Sequence, residues 1–159
     1  MIVENGAVKN GTVSDLPQKF SQGTARVGVI GLGYVGLPLT LLFARKGFSM
    51  VGIDIDSEKI EKLRRGESYI RHIPATGISD LLDKKILETT DDFAAIESLD
   101  ACIMCVPTPL DEHREPDLSY IRSTAQQVSR HLRSGQLIVL ESTTYPGTTD
   151  EVVLPILEQ

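Results

Sequence analysis

Apolar residues in the chain fall into short runs that alternate with longer stretches of helical spacing, and this alternation begins only after a polar lead. The lead, MIVENGAVKNGTVSDLPQKFSQGT, is punctuated by glycine and serine and shows no period, which predicts a flexible arm over residues 1–25. RVGVI (26–30) is short, apolar and β-branched, and reads as a strand. YVGLPLTLLFARKG is helical, apolar nearly all round, and ends at Gly47; Pro38 fits only in its first turn, where a missing N–H costs little. FSMVGID (48–54) is a second strand. DSEKIEKLRRG (56–66) is an amphipathic helix with Ile60 and Leu63 facing inward, Asp56 or Ser57 as cap and Gly66 as its end.

ESYIRHIPATG (67–77) breaks the rhythm and reads as an irregular excursion. ISDLLDKK predicts a short helix, ILETT a short strand and DFAAIES a weak helix. LDACIMCV (99–106) is the most apolar strand, and the three prolines and the charges of PTPLDEHREP make its continuation a loop. In residues 117–135, Leu118, Ile121, Ala125, Val128 and Leu132 recur at helical spacing, with Asp117 suited to the N-cap and Gly135 to the position past the end. QLIVLEST is a fifth strand and TTDEVVLPILEQ opens a last helix, with Thr148 as its cap.

Five strands alternating with helices predict an α/β fold, a doubly wound parallel sheet covered on both faces. Right-handed crossovers give the order 3-2-1-4-5. A ligand crevice is then expected at the carboxyl ends of the strands, where the order reverses between the first and the fourth.

Two features sit at that edge. Gly31, Gly33 and Gly36 form G-x-G-x-x-G between the first strand and the first long helix, and the second strand ends in Asp54. Together they are the Rossmann-type fingerprint for a dinucleotide. Gly31 permits the tight turn, Gly33 lets backbone approach a pyrophosphate, and Gly36 lets the helix pack close to the sheet. Tyr34 and Val35 lie at the helix start, whose unpaired N–H groups and partial positive charge suit phosphate. Asp54 is expected to accept hydrogen bonds from the adenosine ribose diol and to repel a 2′-phosphate, so NAD is expected over NADP. Asp56, two residues on, competes for the ribose and is better explained as a helix cap. Lys59 reads as part of a solvated helix face within reach of the adenine edge. Gly28 reads as a site of close strand packing.

Val106, Pro107 and Thr108 leave the fourth strand beside the crevice, where their backbone and the Thr108 hydroxyl are placed to touch the cofactor or to form a plain stiffened loop. ESTTYPGTT (141–149) leaves the fifth strand at the same edge with its hydroxyls bunched beside an acid, a place for contact with nicotinamide or substrate.

Charge and composition then remove alternatives. A net charge of -6 argues against nucleic acid as a partner, because that needs a basic footprint. No apolar run reaches the length of a membrane span and no signal-peptide order is present, so a soluble, cytoplasmic chain is expected. Cys102 and Cys105 make a C-x-x-C, but they lie in a strand, where residues three apart face opposite ways; they read as core cysteines. His72, His113 and His131 read as surface residues, and no metal site is expected.

VGVIGLGYVGLPLTLLFARKGFSMVGIDID, GESYI, DACIMCVPTPL and ESTTYPGTTDEVV resemble the UDP-glucose/GDP-mannose dehydrogenase family over roughly residues 26–159, and the ESTTYPGTT wording resembles its acetamido-sugar branch. The resemblance implies an enzyme that oxidises a sugar C6 alcohol to a carboxylate with two NAD, through a cysteine-bound thiohemiacetal and thioester. In bacteria the product typically feeds surface polysaccharide. It implies cofactor roles for Gly31, Gly33, Tyr34, Val35, Gly36, Asp54, Val106, Pro107, Thr108, Ser142 and Thr143, and it makes Thr143 the residue that helps hold the catalytic water. It implies a UDP-sugar substrate and a homo-oligomer for the full-length enzyme. The family's nucleophilic cysteine, its lysine and asparagine, and its sugar-nucleotide domain are expected beyond residue 159, so cofactor binding without turnover is expected of this chain. The other readings are a stand-alone dinucleotide-sensing module and a truncated hydroxyacid-type dehydrogenase.

Overall fold

A computed structural model describes residues 15–110, 112 and 114–159. Most of the expected arm, and His113, lie outside the described residues. The described part of that arm corrects the expectation. Leu16–Gln22 form a helix, α1, with Pro17 in its first turn and Gly23 ending it at a φ of 69°. Leu16 is buried, Phe20 packs on Phe48, and Lys19 donates to Asp100 Oδ1 at 2.7 Å. The polar surface of this segment hid one apolar stripe too short to show a period.

The body alternates as expected. The order is β1 (Arg26–Ile30), α2 (Gly36–Arg45), β2 (Ser49–Ile53), α3 (Ser57–Arg64), α4 (Thr76–Asp83), β3 (Leu87–Thr90), a 3-10 helix at Phe93–Ser98, β4 (Ala101–Met104), α5 (Ser119–His131), β5 (Leu137–Leu140) and α6 (Leu154–Leu157). The five strands are all parallel in the order β3-β2-β1-β4-β5.

Side-chain alternation along the strands builds two apolar layers. Val27, Val29, Met50 and Ile103 pack under Leu37 and Leu41 of α2, Ile60 and Leu63 of α3, and Ile78 of α4. Ile30, Ile53, Cys102 and Met104 pack on the other face against Ile121, Ala125 and Val128 of α5 and Leu157 of α6. Cys102 and Cys105 thus serve opposite layers, and burial pushes their thiols up to about 12 and about 11. At neutral pH both are protonated, which suits packing and not metal ligation. Among the described residues no group of His, Cys, Asp and Glu is disposed to hold a metal.

Three helix ends differ from the sequence reading. Asp117 is not the N-cap of α5: Leu118 holds that place, while Asp117 Oδ1 accepts from the Ser119 N–H at 2.8 Å. Leu132, expected on the inner stripe of α5, is extended at the C-cap. The last helix opens as a wide π turn at Thr149–Val153 before α6, where Pro155 has no N–H to return to the carbonyl of Glu151. Thr148 holds the N-cap position as expected but makes no side-chain cap bond; its buried hydroxyl donates to the Tyr145 carbonyl at 2.8 Å.

Candidate functional site

The register of the sheet sets the site. Ile30 is level with Ile53 and Met104, and Met104 with Leu140. The next residues, Gly31, Asp54, Cys105 and Glu141, therefore leave four strands at one edge. Each still takes one ladder bond: Gly31 N to Ile53 O at 2.8 Å, Asp54 N to Thr90 O at 3.2 Å, Cys105 N to Ile30 O at 2.7 Å and Glu141 N to Met104 O at 2.8 Å. The edge is held by backbone, and past it all four segments turn out of the sheet.

Each glycine of the β1–α2 turn answers to a different constraint. Gly31 has a φ of 89°, and a Cβ there would strike the Cys105 carbonyl. A Cβ on Gly36 would strike the Gly31 carbonyl, so close approach of α2 to the turn requires glycine. Gly33 needs neither: its φ is not in the left-handed region, and a Cβ would meet no atom within 4 Å. A side chain there would project into open space at the crevice. Gly28, beneath the turn, would meet the Leu99 side chain if it carried a Cβ.

Asp54 stands across from the turn and is only 5% exposed. Its Oδ2 accepts the Leu32 N–H at 2.8 Å and lies 3.3 Å from Lys59 Nζ; its Oδ1 accepts the Asp56 N–H at 3.0 Å. Two oxygens offer about four acceptor sites, so the carboxylate keeps capacity for a further donor. Asp56 is spent as the cap of α3, accepting from Glu58 N and Lys59 N. Lys59 is not a merely solvated residue, because its ammonium pairs with Asp54.

Two cavities meet at Gly33. The first, about 450 Å³, runs from Gly31, Gly33 and Asp54 past Ile55 and Lys59 to Phe93, Tyr120, Thr124 and Gln127. Its walls are largely apolar, with the carboxylate at one end. The second, about 510 Å³, lies between Gly33, Tyr34 and Val35 on one side and Thr108, Glu141, Ser142 and Thr143 on the other. Cys105, Val106 and Pro107 line both. Tyr34 is 79% exposed, and α2 begins with no side-chain cap and no acid in its first turn. Its N-terminal field is thus available to an anion.

The structure brings every sequence-selected residue to this one edge, but two hydroxyls are directed elsewhere. Thr108 Oγ1 donates to the Thr143 carbonyl at 2.7 Å, and Ser142 Oγ to the Val106 carbonyl at 2.8 Å. Sequence reasoning missed Tyr69, whose hydroxyl donates to the Leu32 carbonyl at 2.6 Å. Burial, and then the nearby Asp54 and Asp56 carboxylates, hold that phenol well above its usual range. It also missed the apolar wall of Phe93, Tyr120 and Ile55, which no local motif marks.

A crevice at the strand ends, glycine-turned and closed by a buried acid, is a dinucleotide site of the Rossmann class. Residues 25–159 match the model of the UDP-glucose/GDP-mannose dehydrogenase family, NAD binding domain, and the chain belongs to that family. It is 37% identical over 134 residues to UDP-N-acetyl-D-glucosamine 6-dehydrogenase of Pseudomonas aeruginosa, a match that covers 84% of this chain and 31% of that protein. It is 38% identical over 141 residues to GDP-mannose 6-dehydrogenase of Pseudomonas savastanoi pv. phaseolicola, covering 84% and 32%. Among solved structures, a ternary complex of GDP-mannose dehydrogenase from Pseudomonas aeruginosa superposes with a TM-score of 0.80 at 30% identity, covering 84% of this chain and 32% of that one. The chain therefore spans about a third of the length of these relatives. NAD is the cofactor that the family's domain takes.

Proposed function

We propose that this domain is the coenzyme-binding part of a UDP-N-acetyl-D-glucosamine 6-dehydrogenase, a UDP-N-acetylhexosamine oxidoreductase that forms a carboxylate at C6. The observation that carries the coenzyme reading is Gly33: neither backbone angle nor packing demands a glycine there, and the space a Cβ would take opens onto both cavities. A pyrophosphate lying against backbone is the ligand that uses such space. The ADP half would occupy the apolar first cavity, with its ribose diol on Asp54, and the nicotinamide half the second.

NAD, when bound, supplies a hydride acceptor. Going from alcohol to carboxylate removes four electrons, so two NAD are consumed and one water is added. Gly33, Tyr34, Val35 and Gly36 present backbone and the α2 N-terminus to the phosphates. Val106 and Pro107 wall the coenzyme on the β4 side. Thr143 is exposed at the rim of the second cavity, and it would help hold the water that enters the product. Support for the acetamido sugar comes from the ESTTYPGTT stretch and from the names of the relatives. The reaction's thiol, its base and the sugar-reading surface are assigned to the rest of the parent enzyme, as are its oligomerisation and its role in surface polysaccharide. Neither cysteine of this chain is proposed for that thiol: Cys102 is buried in β4, and Cys105 follows it at the strand end, half-buried in the wall of the coenzyme crevice.

Titration calorimetry of NAD and NADP into the chain tests the coenzyme reading. Tighter binding of NAD is expected; tighter NADP would remove the role given to Asp54. Turnover of the parent enzyme across a panel of UDP-sugars and GDP-mannose tests the substrate, with UDP-N-acetylglucosamine expected to give the highest kcat/KM.

A further inference from the structure

Among the described residues, the last backbone bond between β4 and β5 runs from Glu141 N to Met104 O. In the continued register the β4 positions that face β5 are Val106 and Thr108, and no backbone bond joins either of them to the β5 loop. Side chains take over. Ser142 Oγ of the β5 loop donates to the Val106 carbonyl at 2.8 Å, and Thr108 Oγ1 of the β4 loop donates to the Thr143 carbonyl at 2.7 Å. Each loop gives one hydroxyl and takes one in return. The pair extends the sheet past its own ladder and ties the two loops together.

We propose that Thr108 and Ser142 are positioning residues, a reciprocal hydroxyl clamp that locks the β4 and β5 loops into one preformed wall for the nicotinamide half of the coenzyme. The proposal rests on the coenzyme reading and deepens it. The wall it fixes carries Thr143 and Glu141 to the lining of the second cavity. Neither clamp residue lines the first cavity, which takes the ADP half. A wall formed in advance spares the ligand the entropy of ordering two loops, so the clamp acts on affinity for one half of the coenzyme only.

ADP and NAD separate the halves. The chain is titrated with each, as wild type and as Thr108→Val, Ser142→Ala and Thr108→Ser, with folding checked by circular dichroism. Wild type is expected to bind NAD more tightly than ADP. Thr108→Val, which keeps the shape of threonine and loses the hydroxyl, is expected to weaken NAD about five- to tenfold and to leave ADP within about twofold, the range of one lost hydrogen bond. Ser142→Ala is expected to behave alike, and Thr108→Ser to restore NAD binding. Equal loss of ADP and NAD, unchanged NAD affinity in both hydroxyl deletions, or no rescue by serine would each overturn the clamp. A wild type that binds neither ligand would instead overturn the coenzyme reading, and the clamp with it.

Discussion

The Tyr69 hydroxyl grips the Leu32 carbonyl at 2.6 Å, and the N–H of the same Leu32 donates to Asp54 at 2.8 Å. Leu32 is the residue between Gly31 and Gly33, so the middle of the glycine turn is fixed at both ends of its backbone by side chains from elsewhere. Its own side chain is fully buried under α2. A turn made of glycines has little stiffness of its own, because glycine loses the most conformational freedom on folding. Here the rigidity comes from the acid after β2 and from a tyrosine in the irregular segment between α3 and α4.

Tyr69→Phe keeps the ring and removes the donor, leaving the Leu32 carbonyl without that partner in a buried place. Loss of about 1–2 kcal/mol of stability is expected, the usual cost of stranding a buried acceptor. Urea unfolding gives that number. NAD affinity should fall in the same variant, since the turn it approaches is looser. Equal stability and equal affinity would show that the turn holds itself.

Asp54 holds two backbone N–H groups and is proposed to hold the ribose diol, and the choice of variant has to respect both. Asp54→Ala would remove the acceptor for the Leu32 and Asp56 N–H groups along with the proposed ribose contact. Asp54→Asn keeps the shape and one carbonyl acceptor while losing the charge. NAD affinity is expected to drop about tenfold or more in Asp54→Asn, since a hydrogen bond to a charged group contributes about 1.5–3 kcal/mol. NADP, no longer facing a fixed anion, should lose less or gain. Calorimetry with both coenzymes checks the ratio; an unchanged ratio would contradict the discriminating role.

At the opposite end of the sheet, Asp100 accepts from Lys19 of α1 at 2.7 Å and from the Arg26 N–H of β1 at 2.9 Å. Burial works to raise its pKa, but Lys19 and the Arg26 N–H outweigh it and hold the carboxyl below its ordinary value. The native state thus binds this proton less readily than the unfolded chain. Its contribution is complete above the unfolded carboxylate value, about pH 4, and disappears as pH falls through the depressed native value. Asp100→Asn should be less stable than wild type at neutral pH, with the gap closing below about pH 4 in urea unfolding. A gap that stays constant into acid would place the role of Asp100 in packing and not in its charge.

The pattern of the chain made the sheet legible because its three central strands, β1, β2 and β4, are apolar runs buried on both faces, while the edge strands β3 and β5 are only partly buried. Gly31, Gly36 and Asp54 were legible for a related reason: a tight turn, a close approach and a strand end are local demands, written into local sequence. The features that escaped such a reading depend on partners far along the chain. Tyr69 and Leu32 are 37 residues apart, and Lys19 and Asp100 are 81 apart. Thr148 looked like a cap because threonine at a helix start usually is one, whereas its hydroxyl turned back to Tyr145. Thr108 and Ser142 were read as facing a ligand, and nothing in VPTP or ESTT shows that each hydroxyl points at the other loop.

Gly33 and Gly36 allow the strongest test, because the same substitution should do opposite things three residues apart. Alanine at position 36 would drive its methyl into the Gly31 carbonyl, a backbone atom that cannot swing aside. Overpacking of that kind is expected to cost about 3 kcal/mol or more and to lower the melting temperature accordingly. Alanine at position 33 meets nothing within 4 Å and needs no left-handed backbone. Its stability should match wild type or slightly exceed it, since alanine restricts the unfolded chain more than glycine does. Its methyl, however, projects where a pyrophosphate would approach. Gly33→Ala should therefore melt like wild type while binding NAD and ADP at least tenfold more weakly, about 1.4 kcal/mol. Calorimetric titration beside a thermal melt reads both properties from one sample. If Gly33→Ala binds NAD as tightly as wild type, the open space beside Gly33 is not where the coenzyme lies.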